Sequence, residues 1–163
     1  LSLRRQRQMC IRDRLNRRGV ASEIARLVAS RQSFAVLALD LDHFKRVNDA
    51  FGHAAGDQVL MALADIMRGS VRVQDACCRV GGEEFLVLMP GASADAAGAV
   101  AERIRKATRA RAMPGGVGHV TVSIGAARWP DDGKDPDTVL KCADQALYRA
   151  KTSGRDKVVA WAG

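Results

Sequence analysis

The run FAVLAL at residues 34–39 restricts the fold of this chain more than any other segment. Six consecutive apolar residues with no alternating period fit a strand buried on both faces, and they are far too few to span a membrane. Such a strand needs apolar cover above and below it, which amphipathic helices can supply. Helical spacing recurs at Val20, Ile24, Leu27 and Val28, at Val59, Leu60, Leu63, Ile66 and Met67, at Val100, Ile104 and Ala107, and at Leu140, Ala143, Leu147 and Ala150. The first set predicts a helix over 17–30, and the second a helix with Asp57 in its first turn. Ser93 reads as an N-cap, Asp135-Pro136 as an N-cap followed by a first-turn proline, and Gly154 as a helix stop. Phe44, Val47 and Phe51 mark a short turn or helix. CCRV and FLVLM flank Gly81-Gly82, which predicts a hairpin whose type I′ turn puts both glycines at positive φ. VTVSIGAA (120–127) alternates as a strand, and KVVAW supplies another. The predicted order is α-β-α-β-β-α-β-α-β, a mixed α/β domain with helices packed on a sheet.

Charge is the next constraint. The net +8 would ordinarily favour nucleic acid, but +6 of it lies in the first 18 residues, and the remainder is nearly balanced. Aromatics are only 4%, too few for a base-stacking platform, so nucleic acid is not expected as a partner. Within the basic segment, RRQRQMCIRDR has no helical or strand period and resembles translated sequencing-adaptor sequence; the other reading is a natural basic arm or linker. Residues 1–14 are therefore set apart, and 15–163 are taken as one domain. With neither an apolar span nor a secretory signal in sight, no membrane contact and a cytoplasmic location are expected. Cys10, Cys77, Cys78 and Cys142 lack paired metal-ligand spacing and read as reduced thiols.

Chemistry gathers around the carboxylates. Asp40 falls just past the carboxyl end of the buried run, where open α/β sheets place ligands. Glu83 and Glu84 begin the strand after Gly81-Gly82, so one of them can join Asp40 if the two strands are neighbours. Converging carboxylates without basic partners imply a hard divalent cation, and Mg²⁺ held that way usually carries substrate phosphates. Solvated loop carboxylates are the other reading. Lys45 is placed to reach a triphosphate, and Asn48 and Asp57 have the donors and acceptors to read guanine, although both residue types also cap helices.

Four blocks then align in order: LDLDHFKRVNDAFGHAAGD (39–57), RVGGEEF (79–85), VTVSIGAA (120–127) and ADQALYRAKTSGRD (143–156). Together they resemble the GGDEF domains, the diguanylate cyclases, in their GGEEF variant. The resemblance implies a palm-like nucleotidyl-cyclase fold, with a central, mostly antiparallel sheet flanked by helices. It also implies condensation of two GTP into cyclic di-GMP and two pyrophosphates. Carried over by motif, Asp40, the Leu41 carbonyl, Glu83 and Glu84 hold two Mg²⁺ ions per site, with Mn²⁺ as a substitute. Glu83 is also the base for the 3′-hydroxyl, and Lys45 stabilises the transition state. Asn48 and Asp57 bind guanine, Lys151 and Arg155 bind phosphate, and Gly81 and Gly82 let the hairpin backbone approach GTP.

Each domain offers one GTP site and two ester bonds must form, so the resemblance implies a homodimer. Arg72 and Asp75 match the family's inhibitory Arg-x-x-Asp, with Arg103 as a further arginine, whereas a bare pattern of this kind is usually an ion pair. The alternative function is a silent cyclic di-GMP receptor. The segment before Asn16-Arg17-Arg18 departs from the family's Asp-x-Leu-Thr-Gly-Leu, which bears on coupling to an upstream sensory domain; Asp156 stands where the family has Asn.

Overall fold

The computed structural model describes residues 17–163; the expectations for residues 1–14, Cys10 and Asn16 lie outside them. The elements are α1 (Arg17–Ala29), β1 (Phe34–Leu41), α2 (Phe44–Phe51), α3 (His53–Ser70), β2 (Ala76–Arg79), β3 (Glu84–Pro90), α4 (Ala94–Ala110), β4 (Val122–Trp129), α5 (Pro136–Thr152) and β5 (Val158–Ala160). The five strands form one sheet in the order β2-β3-β1-β4-β5. All neighbours are antiparallel except β4 and β5. This is the predicted α/β architecture with a mostly antiparallel sheet.

Every residue of β1 is buried, because it is the central strand and helices cover both its faces. Leu37 and Leu39 join one cluster with Leu63 and Met67 of α3 and Val100 and Ile104 of α4. Phe34, Val36 and Ala38 join the other, with Ile24 and Leu27 of α1 and Val139 and Leu147 of α5. The Ser93 side chain accepts from the Ala96 amide and that of Asp135 from the Asp137 amide, so both predicted N-caps are in place. Cys77, Cys78 and Cys142 are thiols, the first two side by side in β2.

Three details differ from the sequence expectation. Two helices stand between β1 and β2, separated by Gly52 at φ 87°, so α3 begins at His53 and Asp57 lies one turn into it. Asp40 lies within β1 rather than beyond it. Finally, neither Gly81 nor Gly82 is among the glycines at positive φ, and residues 80–83 form a wider loop than a type I′ turn. The amides of Val80 and Gly81 both donate to the Glu84 carbonyl, which closes the loop without left-handed backbone.

Packing is closest where α5 crosses β4. A Cβ at Gly125 would lie 2.2 Å from the Leu147 amide nitrogen and 2.3 Å from the Ala143 carbonyl oxygen. Both are backbone atoms, which no rotamer change can move. Gly125→Ala is therefore expected to destabilise the fold by at least about 2 kcal/mol in urea unfolding. A change within about 0.5 kcal/mol, the range of bland surface substitutions, would contradict this packing.

Candidate active site

Antiparallel pairing of β1 with β3 puts Asp40 directly opposite Glu84, and pairing with β4 puts it opposite Ser123. Directly paired residues share a sheet face, so the strand adjacency needed to join Asp40 and Glu84 is present. Glu83 sits in the loop just before β3. Asp40 is only 3% exposed; its Oδ2 accepts a hydrogen bond from Lys151 Nζ of α5, and its Oδ1 is buried with no partner. Burial pushes the Asp40 carboxyl up to about 6, opposed by the Lys151 ammonium and reinforced by the charges of Glu83 and Glu84. Among the described residues, no three His, Cys, Asp or Glu side chains stand close enough to form a metal cluster as they lie. The orphaned Oδ1, facing no protein donor, is nonetheless an acceptor that a hard cation would satisfy.

Asp42, two residues on, has a different fate. It is 4% exposed and takes the hydroxyls of Ser123 and Thr121 at 2.7 Å each, and the Asp156 amide at 3.0 Å. The Asp156 side chain in turn pairs with Arg105 and Arg109 of α4, both at 3.1 Å. The α5–β5 turn, with Arg155 at φ 61° and Asp156 at φ 47°, is thereby pinned beside the end of β1. The Asp156 carboxylate thus has two arginine partners. Sequence reading missed Asp42, Thr121, Ser123 and Asp156 as the support of the site. The available signal was a second acid two residues after Asp40, just past the strand, but its partners lie about 80 and 114 residues away.

Lys45 is exposed on α2 and makes no ion pair among the described residues. Asn48 is half-buried against α3: a Cβ at Gly56 would lie 1.9 Å from its Oδ1. Gly56 thus lets the Asn48 amide lie on the backbone next to exposed Asp57, which brings the two together. A Cβ at Gly81 would come within 3.1 Å of the Glu84 carboxylate, whereas Gly82 has open space beside it. Arg155 is exposed on the turn after α5.

The second group of residues lies apart, in the loop between α3 and β2. Arg72 Nη2 meets Asp75 Oδ1 at 2.8 Å, and the Arg72 amide donates to Asp75 Oδ2 at 2.8 Å. The Asp75 side chain is wholly buried, while the Arg72 side chain is 35% exposed and also donates to the Pro90 carbonyl. Arg103 of α4 donates to the Ser70 carbonyl at the end of α3, which brings it to the same loop. In this conformation both Asp75 oxygens are taken by Arg72.

Comparison with known proteins gives consistent results. The sequence profile of the family described as "Diguanylate cyclase, GGDEF domain" matches residues 13–157. The chain is 42% identical over 130 residues to diguanylate cyclase A of Treponema denticola, covering 78% of this chain and 35% of that protein. Among solved structures, it is similar to the GGDEF domain of YfiN from Pseudomonas aeruginosa, with TM-score 0.84, 35% identity, and coverage of 91% of this chain and 96% of that one. It is also similar to the GGDEF domain of DgcB from Caulobacter crescentus, solved in complex with c-di-GMP, with TM-score 0.83, 31% identity and coverage of 92% of both chains. The chain spans about a third of the length of the curated relatives it matches. Among the described residues, no helix is long and apolar enough to cross a membrane.

The Asp40 environment has a pH signature. Its folded-state value of about 6 lies above the ordinary 3.8, so the folded protein keeps a proton that the unfolded chain has lost. The Asp40 contribution to stability therefore declines as pH rises between those two values and levels off above them. In Mg²⁺-free buffer, Asp40→Asn is expected to lack this decline, so its stability relative to the parent should rise from about pH 4 to about pH 6 and then plateau. Urea unfolding across that range measures it; a difference independent of pH would remove the burial-raised carboxyl.

Proposed function

The chain belongs to the GGDEF family of diguanylate cyclases, and from this premise we propose that it condenses two GTP molecules into cyclic di-GMP with release of two pyrophosphates. The observation that carries the reading is Asp40: a buried carboxylate with an orphaned oxygen, paired in register with the first strand residue of GGEEF and touching Lys151. The domain is assigned to residues 15–163, acting in the cytoplasm. Two protomers face each other, each supplying one GTP.

Asp40, the Leu41 carbonyl, Glu83 and Glu84 are assigned as the residues that hold two Mg²⁺ or Mn²⁺ ions. When bound, such ions supply positive charge to the attacking and leaving oxygens. The protein does the rest. Glu83 takes the proton of the 3′-hydroxyl as it attacks the α-phosphate of the facing GTP. Lys45, on the exposed side of α2, stabilises the charge that grows on the phosphates. Lys151 holds Asp40 in the nucleotide-free protein and turns to phosphate when GTP arrives, joined by Arg155. Asn48 and Asp57 pair with the guanine edge, and adenine would leave their polar groups unpaired. Open space at Gly82 admits the nucleotide.

Product feedback is assigned to Arg72, Asp75 and Arg103. The exposed third of Arg72 is the surface first offered to cyclic di-GMP, and opening of its pair with Asp75 would free the acid to read guanine.

Glu83→Gln keeps size and removes the proton acceptor, so the rate of cyclic di-GMP synthesis is expected to drop by more than about 10²-fold with the fold intact. Near-normal synthesis by this variant would take Glu83 out of the mechanism. Arg72→Lys keeps a cation for buried Asp75 but loses the planar fork. It is expected to raise the cyclic di-GMP concentration for half-inhibition about tenfold or more, read from initial rates at several GTP concentrations. Equal inhibition of parent and variant would make Arg72 a purely structural partner of Asp75.

A further inference from the structure

Two arginines outside the sets named above converge on the loop that carries Glu83. Arg79, the last residue of β2, donates through Nε to the carbonyls of Gly81 (3.1 Å) and Gly82 (3.0 Å), and through Nη2 to Gly82 again. Arg17, in the first turn of α1, donates through Nε to the Val80 carbonyl at 2.7 Å. Three successive carbonyls of the loop therefore end on guanidinium groups.

Among the described residues, the loop has little else to hold it. Its only internal backbone bonds are those from the Val80 and Gly81 amides to the Glu84 carbonyl, and both glycines lack the left-handed geometry of a tight hairpin turn. Two adjacent glycines have more backbone freedom than any other pair, so external donors must choose among their conformations. Glu83 follows directly, and its carboxylate goes where that choice sends it. Arg17 also spans 63 residues of sequence to reach the loop, and α1 is seated on the same sheet face through Val20, Ile24 and Leu27, packed with Ala76 and Cys78 of β2.

We propose that Arg17 and Arg79 are positioning residues for Glu83: together they set the conformation of the Gly81-Gly82 loop, and Arg17 makes that conformation depend on the seating of α1. The proposal rests on the catalytic reading of Glu83. Both arginine contacts are solvent-exposed, so they add little to global stability, and their effect falls on local geometry. Misplacement of a reacting group by about 1 Å is enough to cost about 10²-fold in rate.

The test compares Arg17→Ala, Arg79→Ala and Arg79→Lys with the parent 163-residue chain by two readouts, amide hydrogen exchange of residues 80–84 and steady-state synthesis of cyclic di-GMP from GTP with Mg²⁺. Both alanine variants are expected to keep the parent's unfolding midpoint and to exchange faster only in this segment. Their kcat should fall about tenfold to 10²-fold with KM for GTP within about twofold, because geometry and not ground-state binding is lost. Arg79→Lys should recover only part, since one ammonium cannot serve two carbonyls as the planar fork does. Unchanged exchange in the alanine variants overturns the proposal whatever the activity, and so does faster exchange with parental kcat. If the parent itself makes no product, the exchange arm alone decides whether the arginines hold the loop, and the failure belongs to the catalytic reading.

Discussion

The site depends first on the burial of Asp42. A carboxylate removed from water is costly unless donors replace the water, and here two hydroxyls and one amide do so. Those donors come from the segment entering β4 and from the turn between α5 and β5. Satisfying one acid therefore locks the end of β1 to two distant segments. Lys151 lies at the end of α5 and Arg155 on the following turn, so the same lock sets where both cations can stand relative to Asp40. The Arg105 and Arg109 pairs with Asp156 extend it to α4, on the other side of the sheet.

Asp40 and Asp42 make a controlled comparison within one strand end. They are two residues apart and equally buried, yet one has every oxygen satisfied and the other has an orphaned one. Native structures seldom leave a buried acceptor unpaired without a use for it. The satisfied acid is framework; the unsatisfied acid, under pressure from burial and from Glu83 and Glu84, is where charge is wanted. A similar economy holds elsewhere. Gly56 exists to seat the Asn48 amide, and Gly125 to let α5 lie on β4, so both are contact residues rather than turn residues. Arg72 and Asp75 form an ion pair that shapes the loop before β2 while leaving part of the guanidinium in solvent.

What the sequence determined by itself was the set of elements and the chemistry they carry. The apolar run 34–39 required a two-faced strand, and helical spacing located α1, α3, α4 and α5, because burial periodicity is a property of neighbouring residues. The four motif blocks named the family. Local pattern failed where geometry is imposed from outside. Gly-Gly between apolar runs reads as a tight turn, but Arg17 and Arg79 hold it in a wider one. Asp40 and Asp42 read as one pair of acids. Arg72-x-x-Asp75 read either as an inhibitory motif or as an ion pair, and the ion pair is formed. Only the tertiary structure decided which carboxylate is satisfied, which arginine is engaged and which glycine makes room for a neighbour. Those outcomes depend on atoms brought together from positions as far as 114 residues apart, and desolvation acts on distance in space, to which spacing along the chain is blind.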